Sequence, residues 1–199
     1  MVGLVEKIRI IRSRYFDRFV FIHINKTGGS SIEKALNLPF EHKTALEKIE
    51  EIGLYRWGKK VSFTVVRNPW DKVVSHYHYR VQTNQTGMGD GHIEFNEWVK
   101  RAYGEKDRRY YDQPRMFMPQ VDWICDHNGK VLVNRILRFE KLADDFNALA
   151  NEMNVVSRLP HVKKSKRKKD MRQYYDEESV LIIGDIFSDD IKMFGYKFE

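Results

Sequence analysis

The sequence predicts an α/β fold: a three-layer domain whose central, mostly parallel sheet is flanked by helices. Short apolar runs rich in β-branched and aromatic residues alternate with stretches whose apolar residues recur at helical spacing, the rhythm of βαβ units. At 199 residues the chain is long enough for one well-packed core. No linker-like stretch divides it and no internal repeat is visible, so a single domain over 1–199 is expected.

Residues 4–16 set Leu4, Ile8, Ile11 and Phe16 among basic side chains, as an amphipathic lead-in helix or an extended arm. Residues 19–24, FVFIHI, read as a buried strand. They break into the polar turn NKTGGSS at 25–31, after which Ile32, Ala35 and Leu36 fall at helical spacing. A second helix over 44–52 carries Ala45, Leu46, Ile49 and Ile52. The strand 61–66, VSFTVV, ends at Arg67. Pro69 then suits the first turn of a helix capped by Asn68, with Val73, Val74 and Tyr77 toward the core and Ser75 two turns in.

The Gly-rich residues 83–92 read as a surface loop able to cover or line a site, 93–103 as a helix, and 104–112 as a solvent-facing stretch. A third strand is expected over 131–139, VLVNRILRF, after a turn at Asn128 and Gly129, followed by a helix over 140–153. One closing helix over 177–194 should end at Gly195.

Composition narrows the class. An apolar content of 42% with 13% aromatics is globular, and no apolar run is long enough to span a membrane. Residues 2–11 mix Glu6, Lys7 and Arg9 into their apolar pattern with no small-residue cleavage site after them, so no signal peptide is read and a cytoplasmic location is expected. The lone Cys125 excludes an internal disulfide and a cysteine-based zinc site, and reads as a buried structural thiol. Lys and Arg number 35 against 28 Asp and Glu, a net charge of +7 that favours anionic ligands. Nucleic acid, acidic glycan and nucleotide cofactor are all compatible with charge alone.

The turn at 25–31 sharpens this. The first N–H groups of a helix lack intrahelical partners and carry the positive end of its dipole, so they suit an anionic oxygen cluster. Gly28 and Gly29 allow close backbone approach, Thr27, Ser30 and Ser31 add hydroxyls, and Lys26 supplies a full charge. Because ligands in open α/β sheets bind beyond the carboxyl ends of the strands, Arg67 is expected at the same edge. A nucleoside-triphosphatase P-loop places its Lys after the glycines. Here Lys26 precedes them, and no aspartate ends an apolar strand as a magnesium ligand. The loop is therefore P-loop-like but not that of an ordinary ATPase or kinase.

The residues KTGGSS at 26–31 after a strand resemble the 5′-phosphosulfate loop of sulfotransferases that use 3′-phosphoadenosine 5′-phosphosulfate (PAPS), and RNPWDKVVS at 67–75 resembles their 3′-phosphate motif. The likeness continues through RFEKL at 138–142, LPHVKKS at 159–165 and DIKMFGY at 190–196, and is closest to the carbohydrate-type members, Golgi-like and bacterial. Asn25 stands where the family commonly has Pro, and Ser30 where it usually has Thr; both changes are expected to tune affinity.

The resemblance implies sulfuryl transfer from PAPS, leaving PAP, to a hydroxyl of a carbohydrate or glycoconjugate, with no metal, no nucleic-acid partner and no integral membrane segment. It implies that Lys26 stabilises the departing bridging oxygen, that residues 26–31 hold the 5′-phosphate, that Arg67 and Ser75 hold the 3′-phosphate, and that residues 163–167, with Lys164 and Ser165, close over the nucleotide; by charge alone the basic run 163–169 reads as a solvated loop. His42 lies where related enzymes carry a histidine base, and Glu33 is the alternative. His23 reads as a satisfied core histidine, His76 and His78 as facing either a cleft or solvent, His161 as structural, and Trp57, Trp70, Trp98 and Trp123 as core. The competing classes are a non-catalytic polyanion-binding protein and a nucleotide kinase with a divergent P-loop.

Overall fold

The computed structural model describes residues 3–91, 93–160 and 170–199. In chain order its helices and strands are α1 (Leu4–Tyr15), β1 (Phe19–Ile22), α2 (Gly29–Leu36), α3 (Ala45–Ile52), α4 (Leu54–Gly58), β2 (Val61–Val66), α5 (Pro69–Gln82), α6 (Phe95–Val99), α7 (Val121–Ile124), β3 (Arg135–Arg138), α8 (Leu142–Glu152), α9 (Glu177–Ile186) and α10 (Ser188–Phe194). They gather into two compact units, one of Met1–Arg67 with Val121–Lys164, the other of Asn68–Gln120 with Ser165–Glu199.

The first unit contains an all-parallel sheet in the order β1-β2-β3, in keeping with the α/β class read from the sequence. Side chains alternate across a strand, and the register sets Phe21 beside Phe63 and Val65 beside Leu137, so these residues share a face with Phe19. Ile32 and Leu36 of α2 and Leu142, Phe146 and Leu149 of α8 pack into the same core cluster. The rings of Phe21 and Phe63 lie 5.0 Å apart at its centre.

β3 is shorter than the run 131–139. Its first half is drawn into a hairpin: Asp126 Oδ1 accepts from the N–H groups of Asn128 and Lys130, both at 2.9 Å, and Val131 bridges Cys125 in antiparallel fashion. Asn134 then accepts on its side chain from Ser62 N at 2.8 Å, replacing a ladder bond and delaying the strand to Arg135. Cys125, at this bridge, is half-buried rather than buried.

The second unit is built on α5, which starts as expected: Asn68 Oδ1 accepts from Trp70 N at 3.1 Å and Pro69 opens the first turn. Val73, Val74 and Tyr77 join Trp98, Phe117 and Phe187 in an aromatic core. The helix over 93–103 forms as α6 followed by a π-helical turn, Lys100–Gly104. Two stretches read as surface contribute to the core, through Met88 of the Gly-rich loop and Tyr110 of the charged stretch. The single closing helix is in fact two. Phe187 leaves helical geometry (φ −101°, ψ 23°) with its ring buried, and Asp190 in α10 is buried, accepting from Gln120 N and Nε2 at 2.9 Å each. Gly195 ends α10 at φ 66°, as expected.

In the first unit, α3 begins at a reciprocal cap. Thr44 Oγ1 accepts from Glu47 N at 3.2 Å, and Glu47 Oε2 accepts from Thr44 N at 2.7 Å. Replacing Thr44→Ala is expected to cost about 1 kcal/mol and to lower the thermal midpoint by about 2–4 °C. An unchanged midpoint would show that the cap contributes nothing.

Candidate active site

Because the strands of the sheet are parallel, their C-terminal ends meet at one edge: β1 runs into the turn at 25–28, β2 into Arg67, and β3 into Phe139. In that turn Lys26 and Gly28 both take positive φ, 64° and 85°. For a lysine this backbone is unfavourable by about 1 kcal/mol or more. It is held from below, since Arg67 Nη1 donates to the Lys26 carbonyl at 2.8 Å. The buried Arg67 guanidinium in turn lies 3.9 Å from the centre of the Phe139 ring. Thr27 is buried with its hydroxyl donating to the Ile24 carbonyl at 2.8 Å, so it fastens the turn to β1. Ser31 N donates to Gly28 O at 3.0 Å as α2 begins, and Ser30 is exposed.

Both glycines are required by their neighbours. A Cβ on Gly28 would meet Leu142 at 2.9 Å and Phe139 at 3.2 Å, and one on Gly29 would lie 2.1 Å from the His23 ring. The loop is thus pressed between β3's continuation on one side and a β1 histidine on the other.

That histidine is the centre of a second set of bonds. His23 is buried, and its Nδ1–H donates to Glu33 Oε1 at 2.7 Å. Glu33 is therefore engaged as the partner of His23 inside the first turns of α2. The His23 carbonyl accepts from His42 Nδ1 at 2.8 Å. A carbonyl can only accept, so neutral His42 carries its proton on Nδ1 and presents Nε2 as the basic nitrogen. The two imidazole rings lie 4.3 Å apart, with Phe40 at 5.0 Å and Trp123 at 6.0 Å from His42 edge-on.

Residues on both sides of His42 are clamped to α3. Glu41 pairs with Lys48 and Lys43, while Lys43 and Lys48 each reach Glu51 at 2.9 Å, and Arg14 of α1 pairs with Glu51 as well. Burial alone would raise the Glu51 carboxyl, but the hydrogen bonds from Lys43 and Lys48 outweigh it and hold Glu51 below the ordinary glutamate range. Lys43 is correspondingly raised: burial opposes its charge, and its bonds to Glu51 and Glu41 prevail.

Of the expected site residues, Lys26, Thr27, Gly28, Gly29, Ser30, Ser31, Arg67 and His42 all belong to the first unit and its sheet edge. Ser75 is the seventh residue of α5, half-buried, in the second unit. His161 and the whole basic run 163–169, with Lys164 and Ser165, lie outside the described residues. His76 is buried with Nδ1 3.2 Å from Tyr103 Oη, and His78 Nε2 is 2.9 Å from Tyr174 Oη, so both have roles in the second unit's aromatic packing. All four tryptophans are buried. Sequence reasoning did not anticipate Phe139, which supports both Arg67 and Gly28, nor the joining of His23 to His42. The first lay within the RFEKL stretch already singled out; the second has no local signal. Among the described residues no group of three or more His, Cys, Asp or Glu is gathered as a metal site.

The parallel sheet thus ends in a glycine-built turn beside a histidine whose Nδ1 is bonded to a backbone carbonyl. The model of the sulfotransferase family matches residues 10–197, and the chain belongs to that family. The match runs through both units. Comparison with curated proteins and with solved structures gave no match.

Two outcomes follow from this geometry. Gly29→Ala, which drives a methyl into the His23 ring, is expected to destabilise the protein by about 1–3 kcal/mol, whereas Gly58→Ala, with nothing within 4 Å, should leave the urea midpoint nearly unchanged. Equal midpoints for the two variants would contradict the close packing. Glu51 is lowered in the folded chain, so it adds stability above the ordinary glutamate range that is lost as pH falls from that range through its lowered folded value. The Glu51→Gln variant should then differ from wild type in thermal midpoint at neutral pH and converge with it on acidification; a difference independent of pH would sink the assignment.

Proposed function

We propose that the protein is a PAPS-dependent sulfotransferase acting on a hydroxyl of a carbohydrate or glycoconjugate, with both units working as one domain of P-loop-like, three-layer architecture in the cytoplasm. One observation carries the reading: within a single unit the strand ends bring together the Lys26 to Ser31 turn, Arg67, and a histidine whose bond to the His23 carbonyl leaves Nε2 as its basic atom. The family match supports sulfuryl transfer, and the PAPS-type motifs of the sequence support the donor.

The residues fit such a donor. Gly28 and Gly29 form a turn without side chains at the start of α2, where an anion gains from the helix N-terminus. A guanidinium has five N–H donors, so the Arg67 bond to Lys26 is compatible with a phosphate contact as well. By the sequence motifs, residues 26–31 would hold the 5′-phosphate, Arg67 and Ser75 the 3′-phosphate, and the stretch 163–167 with Lys164 and Ser165 would close over the nucleotide. Bound there, PAPS would supply the sulfuryl group. Lys26 stabilises the negative charge that develops on the departing phosphate oxygen. His42 Nε2 accepts the proton of the acceptor hydroxyl, which raises that oxygen's nucleophilicity without a free alkoxide. Glu33, bonded to His23, orients rather than exchanges protons with the acceptor.

Three measurements check this. PAP should raise the thermal midpoint more than ATP with magnesium does, and without need of magnesium; a larger shift from ATP with magnesium would point to a kinase. Lys26→Ala should lower sulfate transfer from PAPS by about 10²–10³-fold. His42→Ala should keep PAP binding and lose about 10²–10⁴-fold in turnover, and undiminished turnover would remove His42 from the mechanism.

A further inference from the structure

α1 is attached to the first unit through its polar side chains. Arg12 Nη2 donates to the carbonyls of Leu36 and Asn37 at 3.0 and 2.7 Å, closing the end of α2. Glu6 accepts from Phe40 N at 3.1 Å, Arg14 pairs with Glu51, and the Lys60 ammonium donates to the carbonyls of Ser13 and Asp17. None of the twelve residues of α1 is buried.

The consequence is an inversion of the usual arrangement, in which the apolar stripe of a surface helix faces the core. Leu4, Ile8, Ile11 and Tyr15, spaced by four, three and four residues, form one stripe that is 51–76% exposed, and Phe16 extends it at 74%. At about 1.5 Å per residue the stripe is about 18 Å long. α4 adds to the apolar surface: Arg56 stacks on Tyr15, and beside Arg56 in sequence Leu54 and Tyr55 are 74% and 80% exposed.

Charge decides what covers this face. Both carboxylates of the segment are taken up internally, Glu6 by Arg9 and Phe40 N, Asp17 by Arg12. Lys7 and Arg18 stay exposed with no ion-pair partner shown among the described residues. A second copy of the helix would fit the spacing of the stripe as a coiled-coil seam, but the residues flanking it, Lys7, Arg12 and Arg14, are all basic, so two copies would oppose like charges. An apolar face whose neighbouring Lys7 and Arg18 stay exposed while both carboxylates of the segment are already paired matches an anionic lipid surface, where the apolar side chains enter the acyl boundary and these cations meet the head groups.

We propose that α1 is an interfacial membrane-binding helix that docks the protein on anionic bilayers through Leu4, Ile8, Ile11, Tyr15 and Phe16. It lies in the interface without spanning it. The inference stands on α1 alone and does not depend on which acceptor or donor the enzyme uses.

The test is co-sedimentation of the full chain with phosphatidylcholine vesicles, with and without phosphatidylserine, for wild type and the double variant Ile8→Gln and Ile11→Gln. Both proteins keep every charge, including the basic run at 163–169, and Gln is as good a helix former as Ile, so circular dichroism and the thermal midpoint should be unchanged. Wild type should bind the phosphatidylserine vesicles, less tightly at high salt, and the double variant should bind about tenfold more weakly or worse. Equal binding by the two proteins, binding indifferent to phosphatidylserine, or no binding would overturn the proposal. So would sedimentation velocity showing a wild-type dimer that the double variant abolishes.

Discussion

His23 is the residue on which the candidate site depends. Its ring lies where a Cβ of Gly29 would be, its Nδ1 holds Glu33 inside α2, and its carbonyl takes the proton-bearing nitrogen of His42. One residue just past the end of β1 thus fixes the 25–31 turn, the first helix after it and the tautomer of the candidate base. A buried imidazole–carboxylate pair is costly to break from one side, by about 3–5 kcal/mol, since the remaining partner is left in a poorly solvated place. Such a pair makes a stiff base for groups that must keep a fixed geometry while charge moves between them.

The opposite wall of the loop is built differently. Arg67 is buried, donates to the Lys26 carbonyl and lies against the face of Phe139. This bond steadies the left-handed backbone of Lys26, and so settles where the lysine side chain leaves the chain. The segment carrying His42 is pinned by ion pairs on both of its sides and by the Thr44 cap. The 25–31 turn, His42 and the charged residues around it are therefore each tied down by a different kind of interaction.

Much of this was legible in local sequence. The strand, turn and helix around residues 19–36, the capped start of α5 at Asn68 and Pro69, and the αL stop at Gly195 each have a signal within a few residues of the feature. The failures share a cause, which is that a distant partner outweighed the local pattern. Asp126 and Asn134 diverted the first half of the third strand, Phe187 and Asp190 broke the closing helix where its apolar spacing ran on, and Met88 and Tyr110 entered a core from stretches that read as surface. In the site, the loop and Arg67 could be read as motifs. The bond from His42 to the His23 carbonyl spans nineteen residues and uses a backbone atom, so side-chain identity could not reveal it.

In the proposed mechanism the bond to the His23 carbonyl leaves His42 Nε2 unprotonated. Nitrogen-15 NMR of the histidine side chains, at a pH where His42 is neutral, tests it most directly. His42 should be the Nδ1–H tautomer, with Nε2 showing the shift of an unprotonated ring nitrogen. An Nε2–H tautomer, or an even mixture of the two, would contradict it.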